Sequence, residues 1–235
     1  MSSITLAFDV YGTLIDTHGI DSQLHALIGS KAKSFSHSWR EKQLEYSFRR
    51  GLMQKYENFA VCTKQALDFT CSYYNLTLTL ANKQKLLDGY RTLPAHKDVE
   101  QGLAYLKEAN FLLYAFSNGS SDNVDTLLTS AGIRDYFIDI VSADDVNSFK
   151  PNPAVYEFFL KKSGASASNT WLISSNPFDV IGAVSVDMQA AWIQRSKEAI
   201  FDPWKIEPTI TVESLADLHN KISSYHLRKQ RNEFS

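Results

Sequence analysis

The sequence predicts an α/β protein in which a doubly wound, Rossmann-type parallel sheet carries a block of helices inserted after its first strand. An apolar run over residues 4–10 is typical of a buried strand. Residues 16–97 instead carry apolar side chains at helical spacing, and after them strand-length apolar runs alternate with helical patterns. Such alternation gives parallel strands with helices on both faces. The 235 residues suffice for this core and a smaller inserted domain.

The first strand is expected to end at an aspartate. Residues 4–8 are β-branched or apolar, Asp9 follows them, and Tyr11-Gly12-Thr13 then breaks the run. A glycine directly after a strand-length run marks a turn. The pattern therefore places the Asp9 carboxylate at the carboxyl end of the first strand.

The residues after this turn show the pattern of amphipathic helices. Leu44, Phe48 and Leu52 stand four residues apart, with charged residues between them. Pro94 is the first proline of the chain, and a helical block that ends near it is expected. The predicted division of the chain is a core domain, residues 1–15 and 98–235, and an all-helical cap domain, residues 16–97.

The remainder of the chain completes the sheet. The predicted strands are 111–117, 137–142, 170–174 and 189–193, and the predicted helices are 98–109, 121–131, 153–163, 177–186 and 213–224. In open α/β sheets, ligands bind beyond the carboxyl ends of the strands. Polar residues stand at four such places: Asp9, Ser117-Asn118, Lys150 and Ser174-Ser175-Asn176. A helical block that begins after the first strand would cover them.

Composition excludes several classes of protein. The formal net charge is −2, so no nucleic-acid partner is indicated. No apolar run reaches the roughly 18–20 residues of a membrane span, and residues 4–8 are too short for a secretory signal. Two cysteines, Cys62 and Cys71, fit a reducing compartment, so a cytoplasmic protein is expected. The six histidines show no metal-binding spacing.

Several strings resemble one known family. Phe8-Asp9-Val10-Tyr11-Gly12-Thr13-Leu14 resembles the first motif of the haloacid dehalogenase (HAD) superfamily. The stretches 39–46 and 59–70 are similar to the cap of its L-2-haloacid dehalogenases (type II). The later motifs follow in the family's order: Ser117-Asn118-Gly119-Ser120, Lys150-Pro151 with Tyr156, and Ser174-Ser175-Asn176 with Asp179. The resemblance runs from about residue 4 to 195 and implies a HAD-like fold.

Within that superfamily, the first motif separates dehalogenases from phosphatases. The phosphatases share a second aspartate two residues after the nucleophile. This second aspartate protonates the departing alkoxide. Tyr11 stands there in this chain, and a halide leaves without a proton. The phosphatases also hold Mg²⁺ with an acidic pair in the last motif, where residues 174–179 offer one carboxylate. A hydrolase without a metal or other cofactor is expected.

The resemblance also implies roles for single residues. Asp9 would attack the α-carbon of a small 2-halocarboxylic acid, and water would hydrolyse the resulting ester, so that an (S)-2-haloacid gives an (R)-2-hydroxyacid. The implied catalytic residues are Asp9, Lys150, Ser174, Asn176 and Asp179, the last three as positioners of Lys150 and of the water. The implied substrate-binding residues are Tyr11, Arg40, Phe59, Ser117, Asn118 and Tyr156; Arg40, Asn118 and Phe59 would receive the halide ion.

Other readings of these residues stay open. Asp179 fits a helix cap, Arg40 a solvated helix position, and Phe59 a core position as well as a halide contact. The chain departs from the family at Phe178, Phe149 and Asn152, where tryptophan, tyrosine and aspartate are usual. The rival functions are a Mg²⁺-dependent phosphatase of a small metabolite and a non-catalytic carboxylate-binding protein. Members of the family are commonly dimers, so a homodimer is expected.

Overall fold

The computed structural model describes residues 3–233, with the side chains of 230–233 left aside. Its six strands form one sheet in which every neighbouring pair is parallel. The order across the sheet is β3-β2-β1-β4-β5-β6. The strands are β1 (Thr5–Phe8), β2 (Leu112–Ser117), β3 (Asp139–Ser142), β4 (Thr170–Ser174), β5 (Gln189–Ile193) and β6 (Ile210–Val212). This confirms the predicted fold class.

Both faces of the sheet are covered. Leu6 and Phe8 of β1 belong to one buried apolar cluster, and Ala7 between them belongs to a second. Alternate residues of a strand point to opposite faces, so the two clusters lie on opposite sides of the sheet. The helices after residue 97 are α5 (Val99–Glu108), α6 (Ser121–Ser130), α7 (Pro153–Ser163), α8 (Pro177–Val184) and α9 (Leu218–Glu233).

Helices also fill the part of the chain between β1 and α5. They are α1 (Asp21–Ile28), α2 (Ala32–Met53), α3 (Phe59–Tyr73) and α4 (Leu80–Gly89), and we call residues 16–97 the helical segment. Asn58 caps α3 by accepting a hydrogen bond from the Val61 amide. Cys62 and Cys71 both lie on α3, where both are buried and unbridged.

The helical segment leaves and rejoins the sheet at adjacent points. The Asp16 amide donates to the Pro94 carbonyl at 2.8 Å, and the His96 amide donates to the Leu14 carbonyl at 2.9 Å. Backbone hydrogen bonds therefore tie together the two ends of the helical segment, where the chain leaves the sheet and returns to it. This junction sets where the helical segment stands over the end of β1.

The carboxyl-terminal part differs from the sequence prediction. Ile210–Val212 forms a sixth strand beside β5, and the last helix runs over Leu218–Glu233 instead of 213–224. Three residues are too few for a periodic pattern, so pairing with β5 decides this strand. None of the described helices is long and apolar enough to cross a membrane.

Candidate active site

The strand order brings the predicted polar residues to one edge of the sheet. β1 lies between β2 and β4, so their carboxyl ends are neighbours. Asp9 directly follows β1, while Ser117 and Ser174 are the last residues of β2 and β4. All three residues are buried at this edge.

The Asp9 carboxylate is held unevenly on its two oxygens. Its Oδ2 accepts hydrogen bonds from Thr13 Oγ1 at 2.7 Å and from Asn176 Nδ2 at 2.8 Å. Among the described groups, its Oδ1 has one hydrogen-bonding partner, the Lys150 ammonium at 3.5 Å. Oδ1 therefore keeps a lone pair for another partner, while Oδ2 is fixed by two donors.

The Lys150 ammonium lies between two carboxylates. Its Nζ is 2.9 Å from Asp179 Oδ2, donates to the Phe116 carbonyl at 2.8 Å, and lies 4.0 Å from the centre of the Phe116 ring. Only 1% of Lys150 is exposed. The Lys150 amide donates to Asn118 Oδ1 at 2.9 Å, so Asn118 fixes the loop that carries the lysine. A buried charge needs such pairing.

Asp179 is fully buried behind this lysine. Burial raises the pKa of Asp179 to about 6, with the Asp9 charge adding to the rise and the Lys150 charge opposing it. The Tyr156 hydroxyl donates to Asp179 Oδ1 at 2.8 Å. Tyr156 is itself completely buried, and its implied role in substrate binding stays a prediction. The buried Asp179 carboxylate requires hydrogen-bond donors, and the Tyr156 hydroxyl supplies one in addition to the Lys150 ammonium.

Ser117 and Ser174 shape the turns that follow their strands. Ser117 Oγ accepts a hydrogen bond from the Gly119 amide at 3.0 Å, and Ser174 Oγ accepts one from the Asn176 amide at 3.1 Å. The second bond orients the loop whose Asn176 side chain reaches Asp9. Ser174 thus acts on the carboxylate of Asp9 through Asn176.

A further group of residues holds the turn after β1. Gly12 has a φ of +86°, a conformation that favours glycine. Thr13 Oγ1 accepts from the Ser175 amide at 2.8 Å, and the Thr13 carbonyl accepts from Arg195 Nη2 at 2.6 Å. Arg195 Nη1 donates to both carboxylate oxygens of Asp98, at 2.7 and 2.8 Å. Sequence reasoning missed Arg195 and Asp98, which no motif or spacing links.

Arg40 enters the site from the helical segment. Its Nη2 donates to the Tyr11 carbonyl at 3.4 Å, and its Nη1 donates to Gln43 Oε1 at 2.8 Å. The Phe59 ring stands 5.8 Å from the Tyr11 ring, centre to centre. Burial raises the pKa of Tyr11 to about 12, with the Arg40 charge opposing the rise, so its hydroxyl stays neutral.

A cavity of about 380 Å³ lies between the helical segment and the sheet edge. Its walls include Tyr11 and Gly119 from the core and Gln43, Phe59 and Tyr90 from the helical segment. Aromatic walls with a few polar groups are typical of small-molecule sites. A second, more apolar cavity of about 580 Å³ lies beside Lys150 and is lined in part by Phe48, Phe149, Phe178 and Trp204.

The site's positive charge comes from a side chain. Among the side chains of residues 3–229, no group of three or more His, Cys, Asp and Glu residues could hold a metal ion. The Lys150 ammonium occupies the position between the carboxylates of Asp9 and Asp179. Tyr11, two residues beyond Asp9, supplies no additional carboxylate.

Comparisons with known proteins agree on one family. The model of the haloacid dehalogenase-like hydrolases matches residues 5–187. An (S)-2-haloacid dehalogenase of Pseudomonas putida is 34% identical over 92% of this chain and 94% of its own. Haloacetate dehalogenase H-2 of Moraxella sp. (strain B) is 34% identical over 88% and 92%. The structure of L-2-haloacid dehalogenase from Xanthobacter autotrophicus with chloropropionic acid covalently bound superposes with a TM-score of 0.88, at 28% identity over 94% and 98%.

Proposed function

Because this chain belongs to the haloacid dehalogenase-like hydrolases, we propose that it hydrolyses the carbon–halogen bond of short (S)-2-haloacids to give (R)-2-hydroxyacids. The observation that carries the proposal is the uneven holding of Asp9. One oxygen is fixed by two donors, and the other has a single long contact, 3.5 Å, with a buried ammonium. The Xanthobacter relative with covalently bound chloropropionic acid supports a covalent path.

In the first step, Asp9 Oδ1 attacks the α-carbon of the substrate. The new carbon–oxygen bond forms as the carbon–halogen bond breaks, and the halide leaves with the bonding electron pair. The Lys150 ammonium compensates the charge of the Asp9 carboxylate, which is only 8% exposed. Attack from the side opposite the halide inverts the α-carbon once.

In the second step, water attacks the Asp9 side-chain carbonyl carbon of the ester. Negative charge then develops on Oδ2, which Thr13 Oγ1 and Asn176 Nδ2 already face at 2.7 and 2.8 Å. Fixed donors at a developing oxyanion lower the barrier without reorganisation. The ester breaks between this carbon and Oδ1, one proton of the water ends on the hydroxyl group of the product, and the other is released. Asp9 is thereby restored as a carboxylate, and the α-carbon is not inverted again. Ser174, Asn176 and Asp179 position Lys150 and the water.

The departing halide is received by the opposite wall. Arg40 offers a permanent, weakly hydrated cation, which suits a large soft anion. Asn118 from the core and Phe59 from α3 receive the halide together with Arg40. Tyr11 lies between the two walls and contacts the Phe59 ring, so it lines the substrate pocket. Ser117 and Lys150 hold or neutralise the carboxylates of the site, and Tyr156 holds Asp179 behind Lys150.

The reaction proceeds without a metal ion. Lys150 already compensates the carboxylates of Asp9 and Asp179, so a divalent cation between them would have to displace the ammonium. Mg²⁺ also requires near-octahedral oxygen coordination, which two carboxylates supply poorly. A halide, unlike an alkoxide, needs no general acid, and Tyr11 supplies none.

Halide release from (S)-2-chloropropionate in excess EDTA tests the function. We expect turnover to persist at the same rate with and without EDTA, with (R)-lactate as product. Phosphate release that depends on Mg²⁺ would replace this function with that of a phosphatase. Neither release would indicate a non-catalytic binding protein.

A single turnover in ¹⁸O-labelled water tests the covalent path. The hydroxyl oxygen of the product comes from Asp9. The label is therefore expected in the Asp9 carboxylate and not in the first lactate formed. Label in the first lactate would mean that water attacks the substrate directly.

The same proposal extends to the organisation of the protein. Residues 16–97 form the cap domain, and residues 1–15 and 98–235 form the core domain, joined at the backbone bonds of Asp16 and His96.

Two buried, unbridged cysteines fit a cytoplasmic location. Exposed Phe69 and Tyr73 on α3 give the cap an apolar outer surface suited to a homodimer, which light scattering would detect.

A further inference from the structure

Gln43 and Thr63 form a buried polar pair inside the helical segment. Gln43 on α2 is completely buried, and Thr63 on α3 is 6% exposed. The Gln43 side-chain amide donates to the Thr63 hydroxyl. Gln43 stands three residues after Arg40, a spacing that places both on the same face of α2. A buried polar pair of this kind needs every bond satisfied.

The direction of the bonds follows from Arg40. A guanidinium only donates, so Gln43 must turn its carbonyl oxygen towards Arg40 Nη1, at 2.8 Å. Its amide nitrogen is thereby directed at Thr63 Oγ1. The Thr63 hydroxyl in turn donates to the Phe59 carbonyl at 2.8 Å. One chain of hydrogen bonds therefore joins Arg40 to the first residue of α3.

Arg40 has little else to hold it. Its other hydrogen bond, to the Tyr11 carbonyl, is 3.4 Å long. Among the side chains of residues 3–229, no carboxylate forms an ion pair with this guanidinium within 4.0 Å. An arginine side chain has many rotamers, and fixing one costs entropy. The bond to Gln43 is the short contact that selects the orientation of Arg40.

We propose that Gln43 and Thr63 are positioning residues that hold Arg40 towards the departing halide. The proposal rests on the dehalogenase function proposed above. Negative charge grows on the halogen as the carbon–halogen bond breaks, and a misplaced guanidinium stabilises it less. Chloride is a poorer leaving group than bromide, so chloro substrates depend more on this stabilisation.

Kinetics on 2-chloropropionate and 2-bromopropionate test the proposal. Gln43→Met removes the acceptor for Arg40 at similar volume, and we expect kcat/KM on the chloro substrate to fall about 10²-fold. The loss on the bromo substrate should be smaller, and inhibition by sodium bromide should weaken. Thr63→Val should act in the same direction, and Thr63→Ser should restore wild-type behaviour.

The matched control is Gln65→Met. Gln65 Oε1 accepts a hydrogen bond from Arg50 Nη2 at 2.9 Å between the same two helices, but at an exposed position. Its loss should leave both substrates and bromide inhibition unchanged. In an Arg40→Met background, Gln43→Met should add no further loss, because residues that act through one group are not additive.

Several results would overturn the positioning role. They are equal losses on both substrates with unchanged bromide inhibition, wild-type kinetics in Gln43→Met, or losses that add in the Arg40→Met background. If Gln43→Met does not fold, the comparison of Thr63→Val with Thr63→Ser decides, since both changes are small. A wild-type enzyme that releases no halide would overturn the dehalogenase function and the positioning role with it.

Discussion

The core wall and the helical wall of the site hold their cations in different ways. Lys150 in the core contacts Asp9 after β1, the Phe116 carbonyl in β2 and Asp179 in α8. Arg40 on α2 is held by Gln43 and by one long bond to the core. The core cation is part of a buried charge balance, whereas the helical cation pairs with no described carboxylate. Stability and catalysis should therefore separate between the two walls.

The largest effect is expected at the core nucleophile. Asp9→Asn keeps the size of the side chain but removes the attacking oxygen anion, so turnover should fall at least about 10⁴-fold. Halide release and mass spectrometry of the Asp9 peptide, which should carry no ester, would measure this. Asp145→Asn, at an exposed aspartate of the same domain, is the control and should keep full activity. A variant with a tenth of wild-type activity would refute covalent catalysis by Asp9.

Lys150→Met should affect stability as well as activity. It leaves the carboxylates of Asp9 and Asp179 buried without a cation, and removing one partner of a buried ion pair costs about 3–5 kcal/mol. Urea unfolding monitored by circular dichroism would measure the change. Lys162→Met is the control, because Lys162 also faces two aspartates but is 32% exposed. Equal stability of the two variants would contradict the charge balance assigned to the core.

Arg40→Met should affect activity alone. Loss of one electrostatic contact to a transition state typically lowers kcat about 10²- to 10³-fold. Arg40 pairs with no described carboxylate, so the free energy of unfolding should change by less than about 1 kcal/mol. The control is Arg49→Met on the same helix, since Arg49 is 62% exposed and pairs with Glu45. A large loss of stability in Arg40→Met would erase the distinction between the walls.

The smallest effect is the pH dependence of the core wall. The folded pKa of Asp179, about 6, lies above its ordinary value of 3.8. Its contribution to stability is therefore fully present below pH 3.8 and is lost as the pH rises through about 6. Activity should move the opposite way, because only ionised Asp179 pairs with Lys150. Profiles of kcat and of unfolding free energy should show these opposed limbs near pH 6, and Asp179→Asn should remove the stability limb.

Much of the fold and part of the site follow from local pattern. The strand-ending residues Asp9, Ser117 and Ser174 lie at one edge because parallel strands share the direction of their carboxyl ends. The hydrogen bonds of the buried Tyr156 hydroxyl cannot be predicted from local pattern, because a hydroxyl donates to whichever buried acceptor the packing brings near. The pair of Arg195 and Asp98 is equally hidden, since 97 residues separate partners that meet only at the junction.

The parallel sheet, the helical segment after β1 and the aspartate at the end of β1 can be predicted from the sequence, because periodicity and turn residues are local properties. The partners of each Asp9 oxygen and the bonds that hold Arg40 depend on how the chain packs. Those features depend on contacts between segments such as Asp9 and Asn176, which are 167 positions apart. Hydrogen bonds depend on distances of tenths of an ångström, and only the packed chain sets such distances.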